Sequence, residues 1–331
     1  MEFQKSLRLS AFARKMKLQT QIPLQPQEHN QVDYKSKIVL LGSCFSENIG
    51  DKFRYNKFQS LVNPFGILFH PLAIENLITR SINKAYYTEE DLYFHNEQWC
   101  CLDAHSKLNK TSKEELLKVL NTQIDETHQQ LINASHVVIT LGTSWVYRHI
   151  ASDTVVANCH KLPQKQFLKE LLSIEQITEA LKAVVSLVRS INPKVTFLFT
   201  VSPVRHIKDG FIENTRSKSY LFAAIHNIIE PRTHLYYFPS YEIMTDELRD
   251  YRFYNADMIH PNQVAINYIW EKFKFVWLSE EALKISDTVS SIQAKKAHRP
   301  FNPASVAHQQ FISKLESEIK DLRTKYPHIF F

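Results

Sequence analysis

Short unbroken apolar runs, each stopped by a small or polar residue, constrain this chain more than any other feature. Ile38-Val39-Leu40-Leu41 stops at Gly42, His136–Leu141 stops at Gly142, and Val195–Val201 stops at Ser202-Pro203. Runs of this length without polar alternation read as strands buried on both faces, the mark of parallel sheet. Leu235–Phe238 reads as a fourth. Between them lie segments of helical period. The 47–56 segment, Leu72–Asn83, a segment from Thr111 or Ser112 to Asn133, Ser173–Val188, Asn214–Ile229, Tyr241–Tyr251 and Gln263–Trp277 are all expected to be helical. Strands alternating with helices predict an α/β fold, a three-layer α/β/α sandwich around a mainly parallel sheet. Such folds place their sites outside the carboxyl ends of the strands.

The organisation follows from the breaks. Residues 1–36 are polar and irregular, with Pro23 and Pro26, and read as an arm draped over the body. The body spans 37–298. Residues 85–108, rich in Tyr and Trp, read as an inserted β-hairpin whose aromatic side chains are more often strand core than an acyl or sugar pocket. Val155–His160 is short and strand-like. Residues 299–331 carry a last helix, Ala304–Lys325, expected to pack as an amphipathic tail. Met16-Lys17-Leu18 also reads as a beginning, which would leave residues 1–15 outside the natural chain.

The bulk numbers exclude several function classes. The chain has 331 residues, 44% hydrophobic and 12% aromatic, enough for an ordered body with a substantial core. Of the net charge of +6, most sits in residues 1–37, where seven Lys or Arg face three Asp or Glu. The folded body therefore lacks the clustered basic face of a nucleic-acid binder. Cys44, Cys100, Cys101 and Cys159 are not spaced as a disulfide framework. No apolar run reaches the ~20 residues that span a bilayer, and the N-terminus has no continuous apolar core of a signal peptide. A cytoplasmic protein without a cofactor is the expectation.

Chemistry concentrates after the first strand. Gly42 permits a sharp turn, and Ser43 and Cys44 follow as the helix opens. A helix N-terminus offers free N–H groups and partial positive charge, which favour a thiolate and a developing oxyanion. Ser46 reads as the helix cap. A cysteine in this place is otherwise a small buried hydrophobe. Far away, Asp257 and His260 stand three apart, a spacing that lets a carboxylate orient an imidazole. Pro261 at the first helical position would put His260 at the N-cap. On spacing alone, a loop aspartate capping the 263–277 helix, with a satisfied histidine beside it, is the commoner reading.

Two motifs carry a resemblance. Gly42-Ser43-Cys44-Phe45-Ser46 resembles the name-giving motif of the GSCFA family, differing in its last letter, and that family is similar to the SGNH (GDSL-type) hydrolases. Asp257-Met258-Ile259-His260-Pro261 resembles the Asp-x-x-His block of those enzymes. Asn63-Pro64-Phe65-Gly66 and Leu141-Gly142-Thr143-Ser144 fall where two middle blocks belong; Asn158-Cys159-His160 and Ser202–His206 also look like family stretches. The likeness covers residues 20 to 325. It implies a hydrolase or acyltransferase acting on an ester or thioester, such as an acylated carbohydrate, with Cys44 as nucleophile, His260 as proton carrier and Asp257 as its orienter. Ser43 is the rival nucleophile. Two departures stand out: Ser43 replaces an aspartate, and Ser144-Trp145 replace Asn-Asp.

The remaining polar residues take secondary roles. Gly66 and Gly142 can turn backbone N–H groups toward an oxyanion, or simply serve turns. Thr143 or Ser144 can supply a side-chain donor. Asn158 and His160 can recognise substrate, and Arg205 with His206 can hold a carboxylate or phosphate. Cys100, Cys101, His105, Cys159 and His160 are metal-ligand types, but adjacent cysteines and the lack of a Cys-x-x-Cys pair argue against zinc. A non-catalytic module binding a carbohydrate or acylated ligand, and a redox sensor acting through Cys44, are the rival functions.

Overall fold

The computed structural model describes residues 20–331. The possible alternative start at Met16 lies outside the described residues. Five strands form one parallel sheet in the order β10-β9-β5-β1-β2: β1 Lys37–Gly42, β2 Gln59–Val62, β5 His136–Leu141, β9 Thr196–Val201 and β10 Leu235–Tyr237. Within a strand, successive side chains face opposite ways. Val39, Leu41, Val137, Ile139, Phe197 and Phe199 face one core. Ile38, Leu40, Val138, Leu198 and Tyr236 face another. Both faces are covered, which is why the strands show no polar alternation.

Helices α2 (Pro71–Asn83), α3 (Lys113–Asn133), α4 (Ile174–Ile191) and α5 (Phe211–His226) cover the first face. Helices α1 (Cys44–Tyr55), α6 (Gln263–Trp277), α7 (Glu280–Ala297) and α8 (Val306–Lys325) cover the second. The sandwich is therefore three-layered, as expected. The chain leaves β1 toward β2 on one side and returns to β5 on the other. This reversal makes the carboxyl ends of β1 and β5 the switch point, where a crevice forms.

Two additions flank that edge. The inserted hairpin pairs β3 (Leu92–His95) with β4 (Gln98–Cys101), with Tyr87 buried and Phe94 exposed. A three-stranded antiparallel sheet, β7-β6-β8, is made by β6 Trp145–His149, β7 Thr154–Val156 and β8 Phe167–Leu171. Only β7 overlaps an expected strand, Val155–His160, of which residues 157–160 are not strand. The arm from residue 20 onward runs along the body. Val32 N–H donates to Trp277 O at 2.7 Å, and Ile22 N–H to Glu247 Oε1 at 2.6 Å. Tyr241–Tyr251 is not one helix: a single turn, Ser240–Glu242, passes into a wider π turn, Ile243–Glu247. Among the described residues no helix is long and apolar enough to cross a membrane.

Candidate functional site

The turn after β1 is fixed before any chemistry is considered. Gly42 has φ +133°, and a Cβ there would lie 2.1 Å from Thr140 O. Its N–H donates to Asn63 Oδ1 at 2.9 Å, and Ser43 N–H to Thr140 O at 3.0 Å. Ser43, not Ser46, caps α1: its buried Oγ accepts from Phe45 N–H at 3.3 Å. Ser46 Oγ instead donates to Leu41 O at 3.1 Å. Ser43 is fully buried, while Cys44 is partly exposed.

The helix end does not lower the Cys44 thiol outright. Burial pushes the thiol up and Glu47, one turn on, adds to it; the N–H groups of Cys44 and Phe45 and the cation of Lys218 pull the other way. Desolvation wins over the helix end. Asp257 and His260 meet as expected: Asp257 Oδ2 and His260 Nδ1 are 2.7 Å apart. The other carboxylate oxygen accepts from the N–H groups of Ile259 and His260 at 2.8 and 3.0 Å. These N–H groups, then the imidazole, hold Asp257 down to about 2. Asn262, not His260, caps α6, so His260 is free of that duty. Arg205 N–H donates to Ile259 O at 3.2 Å and its guanidinium to Met258 O at 3.2 Å, docking this loop on the turn after β9.

The structure spends several expected oxyanion donors elsewhere. Gly66 N–H donates to Asn63 O at 2.8 Å; the N–H groups of Gly142 and Thr143 donate to Phe69 O at 2.8 and 3.1 Å. Thr143 and Ser144 hydroxyls both bond Ser217 on α5, at 3.0 and 3.1 Å. Asn63 Nδ2 is buried without a partner among the described residues. The Gly42 N–H on its oxygen fixes which way this amide points, so a free donor stands beside the nucleophile turn. The family resemblance had placed Asn63 only within a motif.

The half-buried His206 packs edge-on against the Phe69 ring, centroids 5.3 Å apart, and its buried Nε2 has no partner among the described residues. Burial, with the charges of Lys218 and His260, pushes it down to about 3. Gly142 is needed there because a Cβ would lie 2.9 Å from that nitrogen. Asn158 Oδ1 accepts from His160 N–H at 2.8 Å, and His160 Nε2 faces Cys101 O and Ala104 O at 2.7 and 3.0 Å. Asn158, His160, Thr143 and His206 line a cavity of about 460 Å³ walled by Phe69, Trp145, Tyr147 and Phe167. Of the expected residues, Thr143, Asn158, His160 and His206 line this cavity, while Cys44, Asp257 and His260 are not among its lining residues. Among the described residues no group of three metal-ligating side chains comes together. No hydrogen bond joins Cys44 Sγ to His260 or His206 among the described residues.

Lys218 escaped sequence reading. It is fully buried on α5, donating from Nζ to Ser202 O at 2.7 Å. One sequence signal was there: Asn214, Ser217, Lys218, Leu221 and Ile225 form the buried stripe of that helix, and the lysine lies within it.

The family model named GSCFA family matches residues 37–273, and that of the GSCFA domain protein, C-terminal domain, matches residues 289–331. No curated protein matches the chain.

Proposed function

The chain belongs to the GSCFA family, and from that premise and the cleft geometry we propose an SGNH-like hydrolase or acyltransferase acting on an ester or thioester. Cys44 Sγ attacks the acyl carbon as its S–H proton passes to the imidazole of His260, and the leaving group departs with that proton. Water or an acceptor hydroxyl then attacks the acyl-thioenzyme, giving its proton to the imidazole, which returns it to the departing sulfur. Asp257 orients the ring. The Cys44 N–H and Asn63 Nδ2 face the developing oxyanion. The observation that carries this reading is the 2.7 Å Asp257–His260 pair, docked through Arg205 onto the strand edge that bears Cys44.

The 460 Å³ cavity suits the acyl or sugar part of a small substrate, with aromatic walls and polar Asn158 and Lys208. Its size matches a small molecule rather than a polymer strand, and no nucleic-acid partner is invoked. The four cysteines are free thiols, which suits a reducing compartment such as the cytoplasm. A panel of p-nitrophenyl and thioester acyl donors tests the reading with wild type, Cys44→Ala and Ser43→Ala. Turnover lost only in Cys44→Ala is expected. Turnover that survives Cys44→Ala and dies in Ser43→Ala overturns the choice of nucleophile.

A second reading, a binding module for a carbohydrate or acylated ligand, is favoured by the donors of Gly66, Gly142, Thr143 and Ser144 being spent on structural bonds. Thermal stabilisation by a saccharide without turnover of any acyl donor distinguishes it.

A further inference from the structure

The turn Cys159-His160-Lys161-Leu162 is built against the preference of its own residues. His160 has φ +47° and Lys161 φ +59°, and Leu162 N–H donates to Cys159 O at 2.9 Å. Two successive left-handed residues closed by such a bond make a turn that Gly or Asn usually fills. Larger residues held in this region carry strain, which persists only where the surroundings impose it. The surroundings do so. The N–H groups of Ala157 and Asn158 donate to Leu102 O at 2.9 and 3.0 Å, and His160 Nε2 is fixed by the carbonyl oxygens of Cys101 and Ala104. Cys159, His160 and Lys161 thereby become part of the wall of the 460 Å³ cavity.

The charges on that wall do not balance. Among the described residues its Lys and Asp side chains are Lys161, Lys208 and Asp209, with no Arg or Glu. Asp209 is bridged at 2.6 Å by Lys169, whose Nζ also lies 4.5 Å from the Trp145 ring centroid. Neither Lys161 nor Lys208 has a carboxylate partner among the described residues. The histidines add no charge: burial pushes His70 down to about 4, His206 down to about 3, and His160 down as well. Arg205, expected with His206 to hold an anion, is instead turned to Met258 O and to the Phe211 ring, 5.2 Å from its centroid. The positive charge of Lys161 and Lys208 therefore reaches the cavity uncancelled, opposite walls of Phe69, Trp145, Tyr147 and Phe167.

We propose that this cavity binds a small molecule with a flat apolar body and one carboxylate or phosphate group, the body against the aromatic walls and the anion on Lys161 and Lys208. The inference deepens the reading above by giving its ligand a charge. It rests on the cavity being the ligand site, not on acyl transfer or on the choice of nucleophile. It also accounts for the turn: lysine stands where glycine would relieve strain because its ammonium serves the cavity.

Calorimetry with 2-naphthoate, 2-naphthyl phosphate and the neutral 2-naphthalenemethanol tests this on the full chain. The three share one flat body and differ in charge. At least one anion should bind roughly threefold or more tighter than the alcohol, and added salt should erode that preference; the tighter anion tells carboxylate from phosphate. Lys161→Met and Lys208→Met, both at exposed positions, should each weaken anion binding and leave the alcohol unchanged. Lys161→Gly should raise Tm, since glycine accepts φ +59° freely, and still weaken anion binding. Location is read at the thiols. Burial holds Cys159 and Cys100 up at about 11, but only Cys159 lines the cavity. The bound anion should slow iodoacetamide at Cys159 relative to Cys100. Equal affinity for anion and alcohol, no binding of either anion, anion affinity unchanged in both Met variants, or an unprotected Cys159 would each overturn the proposal. Loss of acyl turnover would leave these readings in place, and failure here would leave acyl turnover untouched.

Discussion

Glu47 works against the thiol it stands beside. It lies three residues after Cys44 on α1 and raises the thiol, while Lys107 Nζ holds its carboxylate at 2.8 Å. Glu47→Gln should move Cys44 alkylation to lower pH, and Lys107→Met should move it higher; both are read from rate against pH. Gly42 is fixed by backbone. Gly42→Ala places a methyl 2.1 Å from Thr140 O at φ +133°, and a loss of roughly 3 kcal/mol or more in urea unfolding is expected. At this scale the sequence was legible where chemistry comes as a motif: Cys44 after its glycine turn, and Asp257 three residues before His260. It was illegible where chemistry depends on burial. The only signal for the desolvated Lys218 was its place in the stripe of Asn214, Ser217, Leu221 and Ile225, which shows as buried once the helix is packed. The helix end also misled: its N–H groups favour a thiolate, but burial outweighs them.

Among elements, β1, β5, β9 and β10 were legible because central parallel strands are apolar throughout. The edge strand β2, Gln59–Val62, was missed because two of its four residues are polar and none is fully buried. The β6 and β8 strands were missed because their burial does not alternate cleanly: Leu168 and Lys169, adjacent in β8, are both exposed, and in β6 the buried residues are Val146 and His149. Helix α7 was missed because its buried set, Ala282, Ser286, Val289 and Ile292, is small and partly polar. The missed sheet nevertheless supplies Trp145 and Tyr147, which share one face of β6 and wall the cavity. Trp145→Ala should raise KM for acyl donors severalfold while leaving the pH profile of Cys44 alkylation in place. A shifted alkylation profile with unchanged KM would mean that the cavity is not the substrate site.

For the whole molecule, two distant ends close one core. Leu315, Leu322, Tyr326 and Ile329 are buried against α1, α6 and α7. At about 1.5–3 kcal/mol for each buried side chain, removing residues 299–331 should lower Tm sharply or prevent folding. A truncated chain with wild-type Tm would contradict the packing. Buried neutral histidines add an acid limit. His70 is pushed down to about 4 by burial and His206 to about 3. Their contribution is fully present above the unfolded value of about 6.5 and is lost as pH falls toward those lowered values. Urea midpoints should therefore fall between pH 6.5 and 4, and the fall should be shallower in His70→Asn. The convergence of residue 44 with the loop at 257–260 is an expectation from motif alone; the switch point between β1 and β5 follows from a strand order that no local pattern encodes. Acyl trapping tests that convergence most directly. Rapid quenching with a p-nitrophenyl ester, followed by peptide mass spectrometry, should find the acyl group on Cys44 in wild type. An acyl group on Ser43, or turnover with no adduct at Cys44 and full activity in Cys44→Ala, would contradict it.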